Sequence, residues 1–119
     1  MPSITIGDGQ DEMWMVARWA FCGYLEHVKN EVEGDQDLEL TVDRAIALDG
    51  LHLTLLDESI LQRLVPVLCQ VADQIVAGRR KARVEGRGVL DERSQTQFRE
   101  AVEQLRGLLQ QHLPSKMPT

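Results

Sequence analysis

The side chains best spaced for chemistry are His27 and Glu31, four residues apart in a segment of helical periodicity. One turn of helix sets both on one face, where an imidazole nitrogen and a carboxylate oxygen could share a divalent metal. A di-metal bundle needs such pairs repeated, as Glu-x-x-His, on further helices. The sequence has no such repeat, so a surface His–Glu pair is the plainer reading. His52 falls in a segment of ambiguous period and reads as a loop or edge residue. His112 comes near the end of the last predicted helix, where a cation suits the helix dipole. Asp35, Asp37 and Glu39 alternate as the first ligands of a calcium loop do. Leu40 and Ile46, however, occupy the positions where that loop needs Gly and a bidentate Glu. That excludes an EF-hand.

Arg79, Arg80, Lys81, Arg83 and Arg87 form the candidate anion-binding segment. No aromatic side chain is interleaved with them to stack on bases. The first of them also follow a predicted helix C-terminus, where positive charge is favourable without any ligand. A phosphate or nucleic-acid site here therefore competes with a solvated helix end. The glycines at 7, 9, 86 and 88 are wrongly spaced to cradle a phosphate, and no nucleophile elbow or paired-His zinc helix is present. No catalytic residue, metal ligand or cofactor site is assigned. Cys22 and Cys69 fit no metal or redox spacing and read as reduced, part-buried residues. A disulfide between them needs two helices to bring them together.

The elements follow from hydrophobic period. The first eight residues read as a loose arm. A first helix is expected over about 10–33, capped by Asp8 or Asp11 and closed at Gly34. Its stripe is Trp14, Phe21, Leu25, Val28 and Val32. Within 38–55 the alternation around Asp49-Gly50 fits a two-residue hairpin. The alanines at 45 and 47 instead favour a short helix closed by Gly50. A third helix, about 55–77, is apolar over more than half its circumference and should sit centrally, with Pro66 on its wet side and Thr54 to Asp57 resembling a capping box. A basic connection leads to a fourth helix, about 91–113, striped by Phe98, Val102, Leu105 and Leu109. Gly107 within it suggests a close helix contact. The expected fold is all-α: an up-and-down-like four-helix bundle with a short second helix, over one domain of residues 1–113 and a flexible tail 114–119. The alternative is α+β, with a small hairpin at 38–55.

A chain of 119 residues with 43% hydrophobic and 27% charged residues has the size and composition of one globular domain. It contains no basic, apolar leader and no span of about 20 apolar residues, so a cytoplasmic location is expected. The net charge of −6 argues against nucleic-acid and anionic-membrane partners. Acids dominate residues 1–60 and bases dominate 61–119. The two halves should attract each other within one fold, or present unlike patches to a partner. Arginine far outnumbers lysine, which points to a GC-rich bacterial source.

Trp19 stands out. On a helical wheel it projects away from the main stripe, near Val16, Cys22 and Gly23. Another part of the chain, such as the Ile4/Ile6 arm or a second helix, should cover this face. Otherwise it is a candidate interface, with Trp19 as anchor and Gly23 permitting close approach. The leading functional expectation is a non-enzymatic protein–protein interaction module of adaptor, immunity/inhibitor or chaperone type, binding a protein partner or forming a homodimer. One alternative is a ligand-binding or enzymatic bundle with a site between helices using His27, Glu31 or His52. Another is anion binding through the 79–87 segment.

Overall fold

The structure is a computed structural model that describes residues 2–6, 13–80, 83–84, 88–89 and 91–112. It is mostly helical with a small three-stranded sheet. In chain order the elements are β1 (Ser3–Thr5), β2 (Met13–Met15), α1 (Arg18–Glu31), α2 (Gln36–Leu48), β3 (Gly50–His52), a 3-10 turn (Leu53–Leu55), α3 (Glu58–Val76), β4 (Arg83–Val84), β5 (Gly88–Val89) and α4 (Glu92–His112). No described helix is long and apolar enough to cross a membrane.

The expected N-terminal arm is instead the centre of the sheet, whose strand order is β2-β1-β3. β1 pairs antiparallel with β2, Ile4 opposite Trp14, and parallel with β3, Ile4 opposite Leu51. Ile4, Trp14 and Leu51 therefore point to one face, and all three are buried against the helices. The buried Ile4 and Ile6 tie the arm down. The expected first helix is eight residues too long at its start. Met13-Trp14-Met15-Val16 alternates between less and more buried positions, the period of a strand. α1 starts only at Arg18, after Ala17 in extended conformation. Trp14 and Phe21 are both in the core, but they reach it from different elements.

The 38–55 segment is helix followed by strand, with no hairpin. Asp35 caps α2, its carboxylate accepting from the Leu38 N–H at 3.3 Å. The helix closes at Asp49, which takes the left-handed conformation (φ 54°) expected of Gly50. Asp tolerates that conformation better than most residues with a side chain. Gly50 is left free to begin β3. No capping box forms at Thr54. Leu53–Leu55 is a 3-10 turn, and α3 begins after Asp57, whose side chain makes no capping hydrogen bond.

α3 is the central helix, as its wide apolar arc requires. Leu64, Val65, Leu68, Val71, Ala72 and Ile75 are buried, and Pro66 is exposed within it. α1, α2 and α4 pack around it. The Tyr24 hydroxyl on α1 is fully buried and donates to the Leu68 carbonyl at 2.8 Å. The α4 stripe of Phe98, Val102, Leu105 and Leu109 is buried as expected. Asp91 caps this helix by accepting from the Ser94 N–H at 2.8 Å. Gly107 makes no close contact: a Cβ built there meets nothing within 4 Å. The basic connection holds a short antiparallel pair, β4 with β5. The expected tail, 114–119, lies outside the described residues.

Candidate functional site

The residues that the sequence offered for chemistry are engaged in structural pairs. Glu31 at the end of α1 forms an ion pair with Arg80, which also donates to the Gln74 side chain. This removes both the carboxylate from a His27–Glu31 metal pair and Arg80 from a free basic patch. His52 lies on the outer sheet face, away from the helices, so it does not join His27 and Glu31 between helices. Among the described residues no group of three or more His, Cys, Asp or Glu side chains could hold a metal ion.

The acidic run before and within α2 is held by one arginine. Arg63 on α3 lies 2.6 Å from an Asp35 oxygen and 3.4 Å from one of Asp37. The unlike halves of the chain thus meet internally, at Arg63 and at Arg80. Arg18 pairs with Asp49, Lys29 with Asp43 at 2.7 Å, and Arg106 with Asp73 at 3.6 Å. These pairs are largely exposed, so each adds little to stability. The pairs at Asp35, Asp37, Asp43 and Asp49 join α2 and its two caps to α1 and α3, and Arg106 with Asp73 joins α4 to α3.

Of the anion-binding candidates, Arg79 is exposed and Arg80 is paired. Lys81 and Arg87 lie outside the described residues, and only the backbone of Arg83 is placed, in β4. Cys22 and Cys69 are free and half-buried. Burial pushes both thiols above their ordinary range, with Asp73 adding to the effect at Cys69 and Arg18 opposing it at Cys22. A thiol held protonated is a poor nucleophile.

The candidate interface around Trp19 is covered in good part by the chain itself. Phe98 of α4 lies against Trp19, ring centroids 6.2 Å apart and planes tilted by 37°. Val16 and Gly23 are buried, while Trp19 and Cys22 are half-buried. Trp19 is covered by a helix, α4, while the N-terminal arm covers the Val16 end, where the Val16 N–H donates to the Pro2 carbonyl at 3.3 Å.

The apolar surface left open lies elsewhere. Leu40 and Leu48 on α2 are 51% and 78% exposed, Leu55 in the 3-10 turn is 80% exposed, and Met15 on β2 is 54% exposed. Leu40, Arg44, Ala47 and Leu48 follow the i, i+4, i+7, i+8 spacing of one helical face, and all four are exposed. In the sequence a short helix competes with a hairpin over 38–55, and neither defines this second stripe. Its signal is the mismatch between one helix and two leucine sets: Leu38 and Val42 inward, Leu40 and Leu48 outward. A second feature is an open groove of about 600 Å³ between β2 and α4. No protein-family model, curated protein or solved structure matches the chain.

Proposed function

We propose that this chain is a non-enzymatic protein-interaction module that presents the outer face of α2 to a folded partner. The observation that supports this reading is the exposure of Leu40 and Leu48 on one helical face, continued along the chain by Leu55. Isolated exposed leucines are ordinary, but a helical stripe of them is the pattern by which an amphipathic helix enters an apolar groove. Arg63, Lys29 and Arg18 hold the two ends and the inner flank of α2. The helix is thereby presented as a rigid ridge, and little ordering entropy is lost on docking. The partner reading is favoured over an enzyme because the titratable candidates are consumed in pairs or scattered over separate faces.

The test is site-specific photo-crosslinking in the native host, with benzoyl-phenylalanine at position 40 or 48 and a control at position 99 on the exposed side of α4. A discrete, saturable adduct from 40 and 48, absent from 99 and lost in a Leu48→Ser chain crosslinked through 40, is expected. Equal smears from all positions would overturn the reading.

A further inference from the structure

We infer that the groove between β2 and α4 takes an extended peptide segment, which adds as a fourth strand to the free edge of β2. This site stands apart from the α2 ridge and does not rest on it.

The edge is defined by the hydrogen-bond alternation of an antiparallel pair. The Val16 N–H donates to the Pro2 carbonyl at 3.3 Å, while the Ser3 N–H turns the other way, to Asp49 on the β3 side, at 3.2 Å. In that register Trp14 and Val16 direct their main-chain groups at β1. Met13 and Met15 direct theirs at the opposite edge, where β2 has no neighbouring strand among the described residues. No main-chain partner for Met13 or Met15 occurs among the described residues. Two N–H groups and two carbonyls thus stand in the row that an incoming strand needs.

The groove lies along this edge. Its strand wall is Met13, Trp14 and Met15. Its helix wall is Gln104, Gly107, Leu108 and Gln111 on α4. Gly107 lowers that wall, because the space a Cβ would enter is open. At about 600 Å³ the groove falls in the range of ligand-sized clefts, about 300–1,000 Å³. The two walls are pinned together below it: the Trp14 indole N–H donates to the Ala101 carbonyl at 2.8 Å.

These walls specify the occupant. An unpaired main-chain row recognises another extended backbone. Met13 and Met15, on the outer sheet face, offer adaptable apolar contacts to alternate side chains of the added strand, while Leu108 lies on the helix side. Gln104 and Gln111 supply uncharged donors and acceptors, and the groove lining carries no charged side chain. The fitting partner is an uncharged, extended segment of another protein with apolar residues at every second position.

The probe is a phage-displayed library of random nonapeptides, panned against the full chain. Enriched peptides are expected to bind one to one and to shift the Met13 and Met15 backbone amides in NMR spectra. Gly107→Phe fills the groove from an exposed helical position with open space around it, and should weaken binding at least tenfold without loss of helical circular dichroism. Met15→Pro removes one edge donor that takes no part in the pairing with β1, and should act likewise. Met15→Ala keeps the donor and should stay within about threefold of wild type. Failure of any peptide to enrich would overturn the proposal. So would enriched peptides that are indifferent to Gly107→Phe, and among those, loss of binding in Leu40→Ser/Leu48→Ser would place them on the α2 ridge.

Discussion

The indole of Trp14 and the carbonyl of Ala101, 87 positions apart in the chain, meet in a hydrogen bond of 2.8 Å that ties an edge strand to the last helix. The Trp14 ring is buried and also meets the Tyr24 ring edge-on, with centroids 5.7 Å apart. Trp14→Phe keeps most of the apolar area and deletes the donor. Loss of the hydrogen bond should lower stability by about 0.5–1.5 kcal/mol, with the smaller ring adding to that. Urea unfolding followed by circular dichroism measures it, as a lower midpoint at unchanged slope.

Tyr24 predicts an alkaline limit to stability. Burial holds its phenol well above the ordinary value near 10, so the folded state keeps the proton that the unfolded chain releases. Below about pH 10 both states are protonated and this contribution is constant. As pH climbs from there toward the folded value, the unfolded state ionises first and stability falls, by about 1.4 kcal/mol for each pH unit. The raised thiols of Cys22 and Cys69 start their own decline just above their ordinary value of 9.0, before Tyr24 contributes. Tyr24→Phe should remove the part of the alkaline decline that begins near pH 10 and leave the cysteine part. At neutral pH it should cost about 0.5–1.5 kcal/mol for the lost bond to Leu68. Denaturant midpoints measured across an alkaline pH series separate the two contributions.

Gly107→Ala should stabilise the protein. The position is exposed within α4, and the added methyl meets nothing within 4 Å. Alanine in a helix interior is favoured over glycine by about 0.8–1.0 kcal/mol. A thermal melt should move upward, whereas a fall would mean that the backbone at Gly107 is not ordinary helix.

The long helices were legible because each repeats its period several times. Leu64, Leu68, Val71 and Ile75 in α3, and Phe98, Val102, Leu105 and Leu109 in α4, can be placed on a wheel and prove buried. Three-residue strands offer no such repetition. Trp14 stands seven residues before Phe21, which suits a helix stripe as well as it suits a strand joined to a helix. What decides is Ile4, with which Trp14 pairs, and no local pattern announces that partner. The same limit hid the β2 edge, since an edge exists only once the sheet is known. The internal match of acidic and basic halves was readable from charge counts, and Arg63 with Asp35 realises it. Gly107 illustrates the opposite case: its cost to the helix is visible in sequence, but whether a neighbour or empty space accompanies it is not.

The position of β1 at the centre of the sheet has a consequence for the order of synthesis. Its antiparallel neighbour β2 follows within a few residues, but its parallel neighbour β3 arrives only after α1 and α2 have been made. Until Asp49 has been made, the Ser3 N–H donates to water in place of its native acceptor. Closing that long loop is entropically slow compared with forming the intervening helices. β1 is thus among the last elements to be locked in place, although β2, α1 and α2 all precede its parallel partner in the chain.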